Sequence, residues 1–177
     1  ILKIVNSAHF GLPQTVTSAE RALFVLGVET IVSMVLSHEV FTTYDSFSAK
    51  SFDPERLATY TGDVGAAVRV LAKAEKLAKA PANDAFTAAM LHDAGKLILA
   101  AGLGDQYEKV LERVGEQDTF IEEIEREVLG ATHAEVGAYL VGLWGLPDQV
   151  VNAVAYHEQP GACPVSAFGP LTLLHAA

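Results

Sequence analysis

Apolar residues recur along almost the whole chain at intervals of three and four, and this period restricts the fold more than any other feature. A 3.6-residue period buries one stripe of a helix, whereas a half-buried strand needs strict alternation. The punctuation agrees with helices. Thr17-x-x-Glu20 and Thr132-x-x-Glu135 read as capping boxes, and Asp53-Pro54 supplies an N-cap followed by a proline at the first helical position. Gly27 separates a first helix from an apolar run over 28–44, and 45–52 reads as a polar loop carrying Phe47 and Phe52. The helix opened by Asp53 places Leu57, Tyr60, Val64, Leu71 and Ala78 on one stripe and is expected to end before Pro81. Asn83 or Asp84 caps the next, which runs to about Ala101 and stops at Gly102 and Gly104. Helices near 105–114 and 119–129 follow, then one from Thr132 through Trp144, one from Pro147 to about His157, a loop over 159–164 and a last apolar helix. The fold class is all-α. The loop at 45–52 is the expected boundary between a smaller amino-terminal helical lobe, 1–52, and a helical core, 53–177.

Charge narrows the function classes. The net charge is -10 and the pI about 4.9, the opposite of the basic surface that nonspecific nucleic-acid binding requires, so no nucleic acid is expected as a partner. Lys73, Lys76 and Lys79 form one basic row, read as a solvated helix face. The acidic run from Glu122 to Glu127 is read the same way, with a Glu122–Arg126 pair on the outside and Ile121, Ile124 and Val128 facing in. No apolar stretch approaches the ~20 residues of a membrane span, and the start, ILKIVNSAHFG, lacks the features of a signal peptide. The single cysteine, Cys163, fits a reducing cytoplasm and is expected to be a small buried residue. The chain begins and ends inside apolar helical patterns, as a portion of a longer module would.

Polar residues on apolar stripes are the candidates for chemistry. Phe86, Met90, Asp93 and Leu97 share one helical face, with His92 beside it. A carboxylate there is costly unless paired, hydrogen-bonded or metal-bound. His133 falls in register with Val136, Leu140 and Trp144, and His157 with Val150 and Val154. Each has a plain alternative: Asp93 pairs with Lys96, His133 solvates a helix start, and His157 suits a helix C-terminus. Imidazoles and a carboxylate converging from separate helices are also what a metal or phosphate site needs. His9 and His38 show no such arrangement, while His175 falls in the last helix.

These motifs carry a resemblance. Leu91-His-Asp-Ala-Gly-Lys-Leu97 resembles the doublet segment of the HD superfamily of metal-dependent phosphohydrolases. The chain as a whole is similar to the HDOD (HD-related output domain) family, through Asn6-Ser-Ala-His-Phe-Gly11, Leu26-Gly-Val-Glu29, His133-Ala-Glu-Val-Gly137, Trp144-Gly-Leu-Pro147 and Tyr156-His157. The resemblance implies an HD-like multi-helix bundle, with further amino-terminal helices expected before Ile1. It implies a cytoplasmic output domain in bacterial signalling, partnered by signalling proteins or fused receiver and sensory domains, or by self-association.

Active HD enzymes hold metal through an isolated histidine, the His-Asp doublet and a distal aspartate. By the resemblance, Tyr60 occupies the isolated-histidine position within Ala58-Thr-Tyr-Thr-Gly62, and a distal aspartate would have to follow Ala177, because Leu174-His-Ala-Ala177 has none. The related HD-GYP phosphodiesterases carry Gly-Tyr-Pro where this chain reads His157-Glu-Gln-Pro-Gly161. The expectation is a degenerate site: His92, Asp93 and His133 as weak or vestigial metal ligands, and Tyr60, Lys96 and His157 lining a pocket. No cofactor is expected beyond a weakly held divalent metal. The leading function is a non-catalytic regulatory domain acting by protein contact, and the alternative is a metal-dependent phosphohydrolase acting on a nucleotide or cyclic dinucleotide.

Overall fold

A computed structural model describes residues 15–42, 49–116, 119–165 and 168–177. Among these the chain is all-α, with no strand. Helices α1 (Ala19–Leu26) and α2 (Val28–Thr42) form the front, joined at Gly27, whose φ of 86° is open to glycine and strained for other residues. Ser18, rather than Thr17, is the N-cap of α1: its side chain accepts from the Arg21 N–H at 3.2 Å. Phe47 lies outside the described residues.

Helix α3 (Pro54–Ala74) opens as the sequence implies, with Asp53 accepting from the Arg56 N–H at 3.0 Å. It ends earlier than expected. Lys76 turns the chain with φ 53°, and α4 (Lys79–Leu91) then begins, so Pro81 sits in a first helical turn where a missing N–H costs nothing. Lys73, Lys76 and Lys79 consequently belong to a helix, a turn and a second helix, not to one helical row. Tyr60, placed on the buried stripe by periodicity, is 54% exposed.

α4 is the central element. Ala85 to Leu91 are all buried, and the small side chains of Ala85, Ala88 and Ala89 let neighbouring helices approach. α3 packs on it, as do α9 (Asp148–Tyr156) and α10 (Pro170–His175), around a core that includes Val68, Leu91, Val141, Val150, Val154 and Leu173. On another side, Phe86 and Met90 join Val16, Ala22, Leu26, Ile31 and Met34 of the front.

The helix expected over 83–101 is two helices. α4 stops at Leu91, His92 and Asp93 form a turn, and α5 runs Ala94–Gly102. α5 packs on α8 (His133–Leu143), and α6 (Gly104–Glu116) pairs with α7 (Ile121–Leu129) over Leu99, Ala100, Tyr107, Val110 and Ile124. The α5–α8 approach is very close. A Cβ on Gly95 would lie 1.9 Å from the His133 carbonyl oxygen, so only glycine allows this crossing. Phe52 is no free aromatic: its ring meets Tyr107 edge-on at 5.9 Å, and it packs against buried residues. Cys163 is half-buried rather than buried. No helix among the described residues is long and apolar enough to cross a membrane.

Candidate functional site

Helix ends assemble the site. His92 is the C-cap of α4 and His157 the C-cap of α9, and each ring turns back on its own last turn. His92 Nδ1–H donates to the Ala89 carbonyl at 2.7 Å and His157 Nδ1–H to that of Val154 at 2.8 Å. A carbonyl only accepts, so the proton is on Nδ1 and Nε2 points forward. His133 is the first residue of α8, beyond a Thr132–Glu135 capping box that is fully formed. Its Nδ1–H donates to Glu125 at 2.7 Å, and its backbone N–H reaches the same oxygen at 2.8 Å. The three Nε2 atoms face Asp93, which occupies the turn between α4 and α5.

All four residues are buried: His92 is 4% exposed, Asp93 1%, His133 0% and His157 7%. His133 Nε2 lies 3.4 Å from Asp93 Oδ1 and 3.4 Å from His157 Nε2, while His157 Nε2 is 3.9 Å from Oδ1. His92 Nε2 is 3.5 Å from Oδ2. Lys96 Nζ sits 2.8 Å from Oδ1 and 2.9 Å from Oδ2, but only the second contact has hydrogen-bond geometry. Oδ1 is therefore a buried carboxylate oxygen with no hydrogen-bond donor, turned toward two imidazole nitrogens.

The electrostatics follow from this packing. Burial alone would raise the Asp93 carboxyl, but the charges of His92, Lys96 and His133 and the Lys96 hydrogen bond outweigh it and hold it below the usual range, so it is ionised. Burial, with His92 and His133 adding to it, pushes His157 down to about 3, and its ring is neutral. Burial and then the Glu125 charge push the Tyr107 hydroxyl up, so it remains a donor, 3.3 Å from Glu125. The Nε2 atoms of His133 and His157 thus converge on Oδ1, and that of His92 on Oδ2. One positive centre shared among these atoms would satisfy the cluster.

The donor set fits a metal. Ligands ~2.0–2.1 Å from a tetrahedral ion stand ~3.4 Å apart, which matches the His133–Asp93 and His133–His157 separations of 3.4 Å. Atoms of His92, Asp93 and His157 also lie close enough together to share an ion. Glu125 behind His133 supplies the carboxylate that commonly orients a ligating imidazole.

The structure thus brings His92, Asp93 and His133 together, with His157 among them and Lys96 on Asp93. Tyr60 lies at the edge of the cluster, its ring 5.9 Å from that of His92. His175 joins from behind, donating Nδ1–H to the His157 carbonyl at 2.8 Å. His38 is exposed on α2, and His9 lies outside the described residues.

Reading the acidic run as a solvated face was wrong at two residues. Glu125 is fully buried and Glu122 nearly so, accepting from Gln159 at 3.2 Å, while Arg126 pairs with Glu135 at 2.9 Å instead of with Glu122. A signal for Glu125 was present, because it follows Ile121 by four residues and precedes Val128 by three.

The HDOD domain profile matches residues 1–160. This chain belongs to the HDOD domain family. Two solved structures share the architecture of this HDOD domain. A Geobacter sulfurreducens HDOD domain protein of unknown function aligns at 19% identity and a TM-score of 0.82, over 98% of this chain and 57% of its own. A Shewanella amazonensis protein, designated provisionally as a phosphohydrolase, aligns at 25% identity and a TM-score of 0.77, over 98% of this chain and 60% of its own. An uncharacterized protein of Treponema pallidum is 25% identical over 163 residues, which is 89% of this chain and 30% of that protein. The HDOD domain described here spans less than two thirds of each of these relatives.

Proposed function

We propose that this HDOD domain is a non-catalytic regulatory domain of bacterial cytoplasmic signalling, acting by contact with signalling proteins or with fused receiver or sensory domains. The closure of the histidine centre carries the reading. Catalytic metal sites keep a coordination position open to water and substrate, whereas His92, Asp93, His133 and His157 are each under 10% exposed, and of the groups close enough to share an ion only Glu158 reaches the surface. The Lys96 ammonium already neutralises Asp93. By the HD resemblance Tyr60 stands where active HD enzymes hold a histidine, and a phenol offers no imidazole nitrogen to a metal. α10 presents His175, spent on the His157 carbonyl, and residues 170–177 contain no carboxylate side chain. In this reading the centre is a polar keystone joining α4, α5, α8 and α9.

A surface then carries the function. Leu23, Phe24, Val25, Val28 and Val32 of α1 and α2 are exposed, Phe24 at 89%, and exposed apolar surface of this kind is a candidate contact site.

One observation favours a second reading, a metal-dependent phosphohydrolase on a nucleotide or cyclic dinucleotide: the close spacing of the imidazole nitrogens and the Asp93 carboxylate. His92, Asp93, His133 and His157 would hold the ion, which would supply Lewis acidity and an activated water. The test is metal analysis of the purified domain with hydrolysis of bis(p-nitrophenyl) phosphate and a cyclic dinucleotide in manganese. The expected result is substoichiometric metal and turnover no faster than a His92→Ala control. Full occupancy, with activity that the control loses, would establish the second reading instead.

A further inference from the structure

Away from the histidine centre, a cavity of about 210 Å³ lies where the front helices meet the bundle. Leu26 and Thr30 line it from the front, Arg69 and Lys73 from α3, and Asn83 and Phe86 from α4. Cations are scarce in this chain, 12 Lys and Arg against 22 Asp and Glu. Two of them, four residues apart on one helix face, border the same space. The Arg69 guanidinium is held over the Phe86 ring, 5.4 Å from its centroid, which orients its N–H edge and strips part of its water. Thr30 and Asn83 are polar members of the lining, and Leu26 and Phe86 are apolar ones.

We propose that this cavity binds a small oxyanion, specifically a phosphate or the phosphoryl group of a small metabolite. The volume is below the ~300–1,000 Å³ of pockets that enclose a drug-sized ligand, so the phosphoryl group is the recognised part. A charge-assisted contact from the arginine and a second from the flexible lysine bind it, with Thr30 and Asn83 completing the polar lining. The cavity spans the two sides of Gly27, the turn between α1 and α2. A bound anion therefore ties the apolar front helices to α3 and α4 and stabilises one arrangement of them over others. The proposal goes beyond the regulatory reading and stands independently of whether the histidine centre is catalytic.

The test is calorimetric titration of the full chain with sodium phosphate against sodium chloride at matched ionic strength, together with amide NMR. Saturable phosphate binding is expected, with shifts at Thr30, Arg69 and Asn83, and Lys73→Gln or Arg69→Lys should each weaken it about tenfold. Lys73 is exposed, so Lys73→Gln preserves the fold and decides the matter if Arg69→Lys does not fold. No binding beyond that of chloride, equal binding by Lys73→Gln, or shifts confined to the residues around His133 would each overturn the proposal.

Discussion

The histidine centre and the front helices depart from the usual distribution of residues in opposite directions. At the centre, two carboxylates and three imidazoles are almost completely removed from water. On α1 and α2, five large apolar side chains remain in it. The buried groups are tightly constrained: Glu125 accepts three hydrogen bonds, and Asp93 is clamped by Lys96 and surrounded by imidazoles. Buried charge of this kind is weak evidence for net stability, but breaking it is expensive, because the group left behind has no water to turn to. The exposed apolar groups are the reverse case. Removing one loses little internal packing and changes mainly what the surface can hold. The difference separates where the domain is fragile from where it is free to interact.

The comparison breaks most severely at Gly95. Gly95→Ala forces a methyl against the His133 backbone, and neither α5 nor α8 can yield without moving the centre. A loss of more than about 4 kcal/mol, or no folded protein at all, is expected in urea denaturation; a variant melting like the parent would show that the two helices are not so closely crossed. Glu125→Ala comes next. It leaves the His133 N–H, its Nδ1–H and the Tyr107 hydroxyl without their acceptor, at an expected cost of about 3–5 kcal/mol. Glu125→Gln should recover part of that loss, and a cost below about 1 kcal/mol would remove the centre from its place as keystone.

Phe52→Ser should destabilise by about 2 kcal/mol through lost packing on Tyr107. Phe24→Ser, by contrast, should leave the melting temperature within about 1–2 °C of the parent while reducing self-association in light scattering. If these two phenylalanines behave alike, the contrast between core and contact surface fails.

The smallest effect is expected at Glu122. Burial pushes its carboxyl up against the pull of His133, with Glu158 and Glu125 adding to the rise. A raised carboxyl opposes folding once pH exceeds its unfolded value and has no effect below it. Glu122→Gln should therefore move the urea midpoint slightly upward at pH 7 and not at pH 3.5. A downward shift at pH 7 would mean that the ionised form is the stabilising one.

What the sequence determined by itself was local. Helical class, the caps at Asp53 and Thr132, and the burial of Asp93, His133 and His157 all follow from periodicity and from hydrogen bonds that span three or four residues. The tertiary structure decided what depends on neighbours distant in sequence. The apolar stripe through Phe86, Met90, Asp93 and Leu97 continues across the break at His92 and Asp93, so periodicity did not reveal that two helices meet there. Lys73, Lys76 and Lys79 keep helical spacing across a turn that Lys76 makes with positive φ. Tyr60 shared a stripe with buried residues, yet it is more than half exposed, and Glu125 sat in an acidic run, yet it faces His133 eight residues on. Periodicity reports which face of a helix is apolar. Only packing sets which helix that face meets, and so whether a carboxylate on it finds water or an imidazole.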